Sequence, residues 1–240
     1  MSNTVFVNME ERKNKHLFRV AFERYTSEIL VIFIGISISF FFDEWRENRA
    51  NDEIVKEHLT VLRTNLVQDT LNLAFQIDQG NKLVDSINKL TYSESDAQLI
   101  DSIDYHIDKA ASYLTFTSNQ MAYEEIRQTA HTGLIKNDTL KTSFLTYYTA
   151  VIPYCTEWCK IDETHTMTQL IPEMSIYFSV IADSLNIVSS QEKVEAIRMK
   201  KLRNLLLVNS GFKKVTIGAL ALTKRATINL LKKVDDELRK

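Results

Sequence analysis

Residues Tyr25 to Trp45, YTSEILVIFIGISISFFFDEW, form the most apolar stretch of the chain and decide its predicted architecture. The fourteen residues from Ile29 to Phe42 carry no charge. A helix over the whole stretch has 21 residues, and about 20 residues at 1.5 Å each cross roughly 30 Å of hydrocarbon. Interfacial Tyr and Trp side chains commonly flank such spans. The stretch predicts a transmembrane helix with Tyr25 and Trp45 as interface anchors.

Two other interpretations of this stretch are weaker. Apolar runs of 10–14 residues are often buried helices of soluble proteins, but such a helix needs apolar neighbours on all sides, and the rest of the chain offers mainly one-sided amphipathic helices. A cleaved signal peptide needs a small-residue cleavage site, whereas this run ends in FFFDEW at residues 40–45. We therefore expect a retained membrane anchor.

Turn-forming residues are scarce in the rest of the chain. Gly (5) and Pro (2) occur among 240 residues, about 3% of the chain against an average near 12%. This scarcity predicts few, long elements and an all-α fold. The net charge of −2 offers no electrostatic basis for binding nucleic acid, and no zinc-finger or RNA-binding motif is present.

The predicted organisation has three parts. Residues 1–24 form a short cytoplasmic segment, residues 25–45 the transmembrane helix, and residues 46–240 an extracytoplasmic (periplasmic) helical domain. The orientation follows the excess of basic residues on the cytoplasmic side of membrane proteins. Five basic residues precede the span and four lie in roughly the first 20 residues after it: Arg12, Lys13, Lys15, Arg19 and Arg24, then Arg46, Arg49, Lys56 and Arg63.

The segment after the span predicts a long stalk-like helix followed by an antiparallel helical bundle. Its first apolar residues are Val55, Leu59, Leu62 and Leu66, at the steps of 4, 3 and 4 that coiled coils use. Further along, Ser118 and Asn137 or Asp138 are expected N-caps. Gly133 is expected to end a helix in the left-handed conformation, and Pro153 predicts a bend near Ala150.

The C-terminal part predicts a final amphipathic helix from Phe212 to Leu238, after a break at Ser210 and Gly211. Its lysines, among them Lys213, are expected on a solvated side, and Phe212 to Leu222 is too short and too charged at its start for a second span. The stripe expected to face the core comprises Val215, Leu220, Leu222, Ile228, Leu231 and Val234.

The block from Tyr123 to Tyr148, YEEIRQTAHTGLIKNDTLKTSFLTYY, and the EILV-IG-I pattern of the span carry a resemblance. Together they resemble an uncharacterised family of single-pass, helical envelope proteins of Gram-negative bacteria. The matching residues are Tyr123, Glu124, Ile126, Gly133, Leu134, Ile135, Lys136, Asn137, Leu140, Tyr147 and Tyr148. Ala130 and His131 depart from the small residues usual there, and FFFDEW replaces a more polar exit. The resemblance implies topology and fold but no chemistry.

Few residues indicate chemistry. Glu28 is a carboxylate inside the span, either a proton or ion ligand or a group that reaches the interface. Cys155 and Cys159 lie four residues apart on a predicted helix. They are buried free thiols, a strained or interchain disulfide, or part of a metal site with Glu163 and His165. His58, His106 and His131 are isolated in the sequence, and no catalytic signature occurs.

These observations predict a membrane-anchored structural or interaction protein of the bacterial inner membrane, with no cofactor and no enzymatic activity. Its expected partners are the lipid bilayer and either further copies of the chain or other envelope proteins. The main alternative is a subunit that transduces a signal or a proton through Glu28. An enzyme with an unrecognised site is the third hypothesis.

Overall fold

The computed structural model describes residues 3–93, 99–178 and 188–240, with side chains from residue 29 onward. Within these ranges all regular structure is helical and no strand occurs, which confirms the all-α prediction. The chain divides into two compact units, Met1–Ile54 and Val55–Lys240. The α-helices are α1 Asn3–Tyr92, α2 Ile103–Ala110, α3 Met121–Gln128, α4 Asp138–Thr146, α5 Ile152–His165, α6 Ile171–Tyr177, α7 Ser190–Arg198 and α8 Lys200–Leu238.

In the first unit, α1 carries the apolar run 29–42 with its large side chains exposed. Exposure ranges from 47% at Ile34 to 71% at Phe40. Because successive residues of a helix point about 100° apart, exposure of the consecutive residues 29–34 means that every side of the helix is uncovered. Trp45 is exposed too, whereas the side chains of Tyr25 and Glu28 lie outside the described residues.

The second unit contains two hydrophobic clusters. The first joins the beginning of its α1 segment to α3, α4 and the C-terminal half of α8, with the fully buried Leu62, Leu66 and Leu140 among its members. The second joins the end of α1 to α2, α6, α7 and the start of α8, around Ile87 and Leu202. The predicted inward-facing residues Leu59, Leu62 and Leu66 are buried as expected.

Helix α8 runs antiparallel to the chain segment from α4 to α6. Their contacts begin at Ser143 and Lys233, pass through Asp162 and Lys213, and end at Glu173 and Lys201. Residue numbers rise along one partner as they fall along the other. This long antiparallel pair positions most polar groups of the polar contacts described below.

Two π-helical segments interrupt the chain segment from α4 to α6 that faces α8. We call this segment, residues 138–177, the helical run. The π-helical segments are π1, Tyr147–Val151, and π2, Thr166–Leu170. Each lies directly before a helix with proline at its first or second position, Pro153 after π1 and Pro172 after π2. Proline clashes with the carbonyl group one turn back, and the wider π turn gives its ring room. Ala150, near which a bend is predicted, lies within π1.

Several local predictions were wrong. Ser118 does not cap a helix, since its hydroxyl donates to Asp69 and the N-cap of α3 is Gln120. Gly133 lies in a 3₁₀ turn, and the left-handed residue is Ala130 at φ 57°. Asn137, in contrast, caps α4 as predicted, because its side chain accepts from the Leu140 amide.

The predicted break at Ser210 and Gly211 is absent, because α8 continues from Lys200 to Leu238. Its buried side also differs from the predicted stripe: Leu220 and Val234 are buried, whereas Val215, Leu222 and Ile228 are exposed. Polar residues occupy half of the twelve buried positions of α8. By length and composition, α8 is the one helix in the searched part of the chain that could cross a membrane, and 39% of its apolar window is buried.

Candidate functional site

The inner side of α8 carries polar residues between its apolar ones. Asn209, Lys213, Thr216, Thr223 and Thr227 are all fully buried on it. Buried polar groups lose free energy unless they find hydrogen-bond partners, and most of these find them on the segment from α4 to α6. We call this row of polar contacts the polar seam.

An ion pair between Lys213 and Asp162 lies near the middle of the polar seam. The Lys213 ammonium donates to Asp162 Oδ1 at 2.9 Å, and both side chains are fully buried. Asp162 Oδ2 accepts from the Leu114 amide at 2.9 Å. Burial lowers the pKa of Lys213, and the carboxylate of Asp162 opposes that change. The prediction that Lys213 is solvated was wrong.

Towards the N-terminus of α8, the polar seam continues at Asn209. Its amide accepts from Thr166 Oγ1 at 3.1 Å and donates to the Ala110 carbonyl at 3.1 Å. The ring of His165 lies 4.9 Å from that of Phe212. Burial lowers the pKa of His165, and its Nδ1 atom is buried without a protein hydrogen-bond partner.

Towards the C-terminus of α8, the polar seam reaches Tyr147 and Asp69. The Tyr147 hydroxyl shares a hydrogen bond of 3.0 Å with Thr227 Oγ1. Asp69 accepts from the Ser118 hydroxyl at 2.5 Å and from the Asn119 amide at 3.0 Å. Burial raises the pKa of the Asp69 carboxyl, and these hydrogen bonds partly oppose that rise.

The two π segments share a sequence signal that the sequence analysis missed. Residues 149–153 read TAVIP and residues 168–172 read TQLIP. In both, the Thr hydroxyl donates to the carbonyl four residues earlier, from Thr149 to Leu145 and from Thr168 to Thr164. Such bonds to the preceding turn bend helices. The pattern Thr, any residue, Val or Leu, Ile, Pro therefore marks both π turns.

A cleft lies beside each π segment, between the helical run and α8. The larger, about 440 Å³, includes Thr168, Gln169, Glu173, Lys201 and Asn204 in its lining. The smaller, about 280 Å³, includes Thr142, Ser143, Thr146, Asn229 and Lys233. The α8 residues of both follow the same spacing, with an Asn-Leu-Leu sequence at 204–206 and at 229–231. The polar groups of the two clefts differ mainly in charge.

Three lysines of α8 contact the helical run, and their partners differ. Lys201 pairs with the buried Glu173 carboxylate, and Lys213 pairs with Asp162. Lys233 donates to the Ser143 hydroxyl, a neutral group. The smaller cleft, beside Lys233, thus holds a positive charge without a carboxylate partner in the described part of the molecule, whereas the larger cleft holds a neutralised pair.

The structure brings together two histidines that the sequence analysis treated as isolated. His58 Nε2 and His131 Nδ1 are 2.9 Å apart, and the Glu125 carboxylate lies 3.9 Å from His58 Nδ1. One of the two facing nitrogen atoms donates and the other accepts. His131 directly follows Ala130, whose φ of 57° is left-handed. His106, in contrast, lies on α2, buried, with its pKa lowered by burial.

Cys155 and Cys159 are buried free thiols. They lie on α5 and share a hydrogen bond, which lowers the pKa of Cys155 and raises that of Cys159. In the part of the chain that the structure describes, no three or more His, Cys, Asp and Glu side chains form a group that could hold a metal ion.

The block that carried the family resemblance forms part of the first hydrophobic cluster. Tyr123 stacks on Tyr148 at a ring distance of 4.5 Å, and Tyr147 meets Tyr148 edge to face at 4.9 Å. Ile135 is buried, and the Asn137 amide donates to Glu237 on α8. Glu124 binds Arg127 at the surface. The aromatic and capping residues of the block thus serve local packing.

Comparisons of the chain with protein families, with curated proteins and with solved structures find no match.

Proposed function

We propose that the chain is a single-pass membrane protein whose second unit is a helical interaction module, without enzymatic activity. Residues 25–45 span the bacterial inner membrane and residues 1–24 face the cytoplasm. Residues 46–240 lie on the periplasmic side. The single observation that carries the proposal is the exposure of the apolar run 29–42 on every side of α1.

The magnitude of this exposure supports insertion into lipid. Eleven Ile, Leu, Val and Phe side chains between residues 29 and 42 are exposed. On the insertion scale these residues contribute −0.3 to −0.6 kcal/mol each, so the run favours the membrane by about −3 to −7 kcal/mol. A soluble protein rarely exposes so large a continuous apolar surface. The bilayer is the occupant that suits a helix apolar all round.

Helix α8 supports placing the second unit in water and not in lipid. Its polar residues point inwards, and insertion of α8 alone into lipid would separate Lys213 from Asp162 and Asn209 from Thr166. Unpaired charges in hydrocarbon cost at least 2.5–3.5 kcal/mol each. We therefore assign α8 to a bundle in water.

An exposed apolar stripe on α1 supports an interaction role for the second unit. Val67, Leu71 and Phe75 follow one another at steps of four residues, and Leu71 and Phe75 are 62% and 58% exposed. Residues four apart share one side of a helix. A second copy of the chain, held in the same membrane, is the partner we propose for this stripe.

The anchor is tested by paired arginine substitutions. In Ile32→Arg/Ile36→Arg, the insertion free energy becomes less favourable by about 6–8 kcal/mol, which removes the estimated gain from the whole run. We expect alkaline carbonate to extract this variant from cell membranes while the wild-type protein stays in the pellet.

The matched control is Val215→Arg/Leu222→Arg, which adds the same charge to exposed apolar positions of α8. This variant is expected to remain in the membrane pellet. Recovery of the wild-type protein in the soluble fraction, or release of the control variant alone, would overturn the proposed anchor.

The assembly is tested by mass determination of the full chain purified in mild detergent. We expect the wild-type protein to be an oligomer and Leu71→Ser/Phe75→Ser to dissociate. Ile176→Ser is the control, because Ile176 is an exposed apolar residue on α6. A wild-type monomer that co-purifies with no other protein would contradict the interaction role.

A further inference from the structure

We infer that the smaller cleft, beside Lys233, binds a small monocarboxylate with an apolar body. The inference rests on the second unit alone and does not depend on the membrane anchor. It starts from the comparison of the three lysines of α8, of which Lys233 has a neutral partner.

The positive charge of Lys233 favours binding of an anion in this cleft. No Asp or Glu is among its lining residues, and Lys233 forms no ion pair with any described residue. The Ser143 hydroxyl donates to the Thr139 carbonyl at 2.8 Å, so it accepts from Lys233. An ammonium group has three hydrogens. Two of these hydrogens remain for a ligand. A ligand carboxylate would bind Lys233 as Glu173 binds Lys201 and as Asp162 binds Lys213.

Neutral hydrogen-bond donors line the same cleft. Thr142, Thr146 and Asn229 line the cleft, and within the described part of the molecule their side chains make no hydrogen bond. Hydroxyl and amide groups can donate to a carboxylate, and hydrogen bonds to an ionised group are about twice as strong as those between neutral groups. The cleft therefore offers one full positive charge and several donors.

The remaining wall decides which anion fits. Val151, Ala226 and the buried Leu230 supply apolar surface to the lining of the same cleft. The volume of about 280 Å³ lies just below the 300–1,000 Å³ of typical ligand sites. One lysine balances one negative charge, so a monocarboxylate the size of benzoate fits better than a phosphate or a dicarboxylate.

The larger cleft provides an internal comparison. It repeats the Asn-Leu pair as Asn204 and Leu205. Its lysine, Lys201, already forms an ion pair with Glu173. A ligand carboxylate there would meet a protein carboxylate. We therefore expect anion binding at Lys233 and none at Lys201, although the cleft beside Lys201 is larger.

Binding is tested by fluorine NMR of 4-fluorobenzoate and of its neutral analogue 4-fluorobenzamide, with the full chain purified in mild detergent. We expect the carboxylate to bind at least tenfold more tightly than the amide. Lys233→Met should weaken carboxylate binding at least tenfold. The control Lys232→Met removes the same charge from the adjacent, exposed position and should change binding by less than twofold.

A second variant keeps the test decisive if Lys233→Met unfolds. Ser143→Asp gives Lys233 the carboxylate partner that the other two lysines have, and should abolish binding of 4-fluorobenzoate while the helical circular dichroism spectrum is retained. The inference is overturned if the wild-type protein does not bind the carboxylate, if the amide binds equally well, or if Ser143→Asp binds like wild type. Tighter binding of inorganic phosphate than of 4-fluorobenzoate would overturn the proposed ligand class.

Discussion

Two parts of this chain contain long apolar stretches and differ in how their polar groups are arranged. The run 29–42 has no charge and exposes large apolar side chains on all sides. Helix α8 also contains a window apolar enough to cross a membrane, yet it encloses Lys213 and Asn209 and exposes Val215 and Leu222. The two helices therefore differ in where their polar groups lie: the run 29–42 has no charged residue, whereas α8 keeps polar side chains on its buried side.

The largest expected effect on the bundle is that of Lys213→Met. This change leaves the Asp162 carboxylate buried with the Leu114 amide as its described partner, and breaking a buried pair costs about 3–5 kcal/mol. Denaturant unfolding monitored by circular dichroism measures the loss. The double variant Asp162→Asn/Lys213→Met should recover much of it, because no charge then remains buried.

If Lys213→Met unfolds at the same denaturant concentration as the wild-type protein, α8 does not keep its polar side inside the bundle in solution. The distinction between α8 and the run 29–42 would then fail.

A smaller effect is expected for Tyr147→Phe. The substitution removes the hydroxyl that bonds Thr227 Oγ1 at 3.0 Å and donates to Asp69 Oδ2 at 3.5 Å, and it keeps the ring beside Tyr148. The loss of the shorter of these buried hydrogen bonds lowers the free energy of unfolding by about 0.5–1.5 kcal/mol. Tyr154→Phe, at an exposed position, is the control and should unfold like wild type.

The pH dependence of the free energy of unfolding tests whether His165 is buried beside α8. Burial lowers its pKa in the folded state, so between that value and about 6.5 the unfolded chain binds more protons. Its contribution to stability is therefore present above pH 6.5 and is lost as the pH falls. We expect His165→Gln to unfold with a flatter pH dependence between pH 7 and 5. A slope equal to that of wild type would contradict this.

The smallest effect is expected on the outer side of α8. Val215→Ser and Leu222→Ser remove exposed apolar side chains and should change the free energy of unfolding by no more than about 0.5 kcal/mol. Leu220→Ser, at a fully buried position on the same helix, should cost several times more. Similar losses at positions 215 and 220 would show that the outer side is covered.

The sequence was informative where one residue type or one period dominates. The scarcity of Gly and Pro predicted the all-α fold, the steps from Leu59 to Leu66 predicted a buried side, and Asn137 was recognised as a cap. These features are local, because a cap or a helical period depends on a few neighbouring residues. They needed no knowledge of which helices pair.

The polar seam could not be predicted in the same way. Lys213 resembles any surface lysine until α5 brings Asp162 to it from 51 residues away. His58 and His131 likewise meet across 73 residues. The stripe predicted for α8 followed its large apolar residues, whereas several of the buried positions hold threonines, namely Thr216, Thr223 and Thr227. A buried hydroxyl needs a partner on another helix, and a single helical period does not identify that partner.

The most direct test of the distinction between the two helices is electron paramagnetic resonance of single spin labels in lipid nanodiscs. Labels at Phe33→Cys and Phe40→Cys are compared with labels at Val215→Cys and Leu222→Cys, all in a background of Cys155→Ala/Cys159→Ala. We predict that labels at 33 and 40 collide more with oxygen than with a water-soluble nickel complex, and that those at 215 and 222 show the reverse. Preferential collision with oxygen at 215 and 222, or with nickel at 33 and 40, would contradict the assignment of the run 29–42 to lipid and of α8 to water.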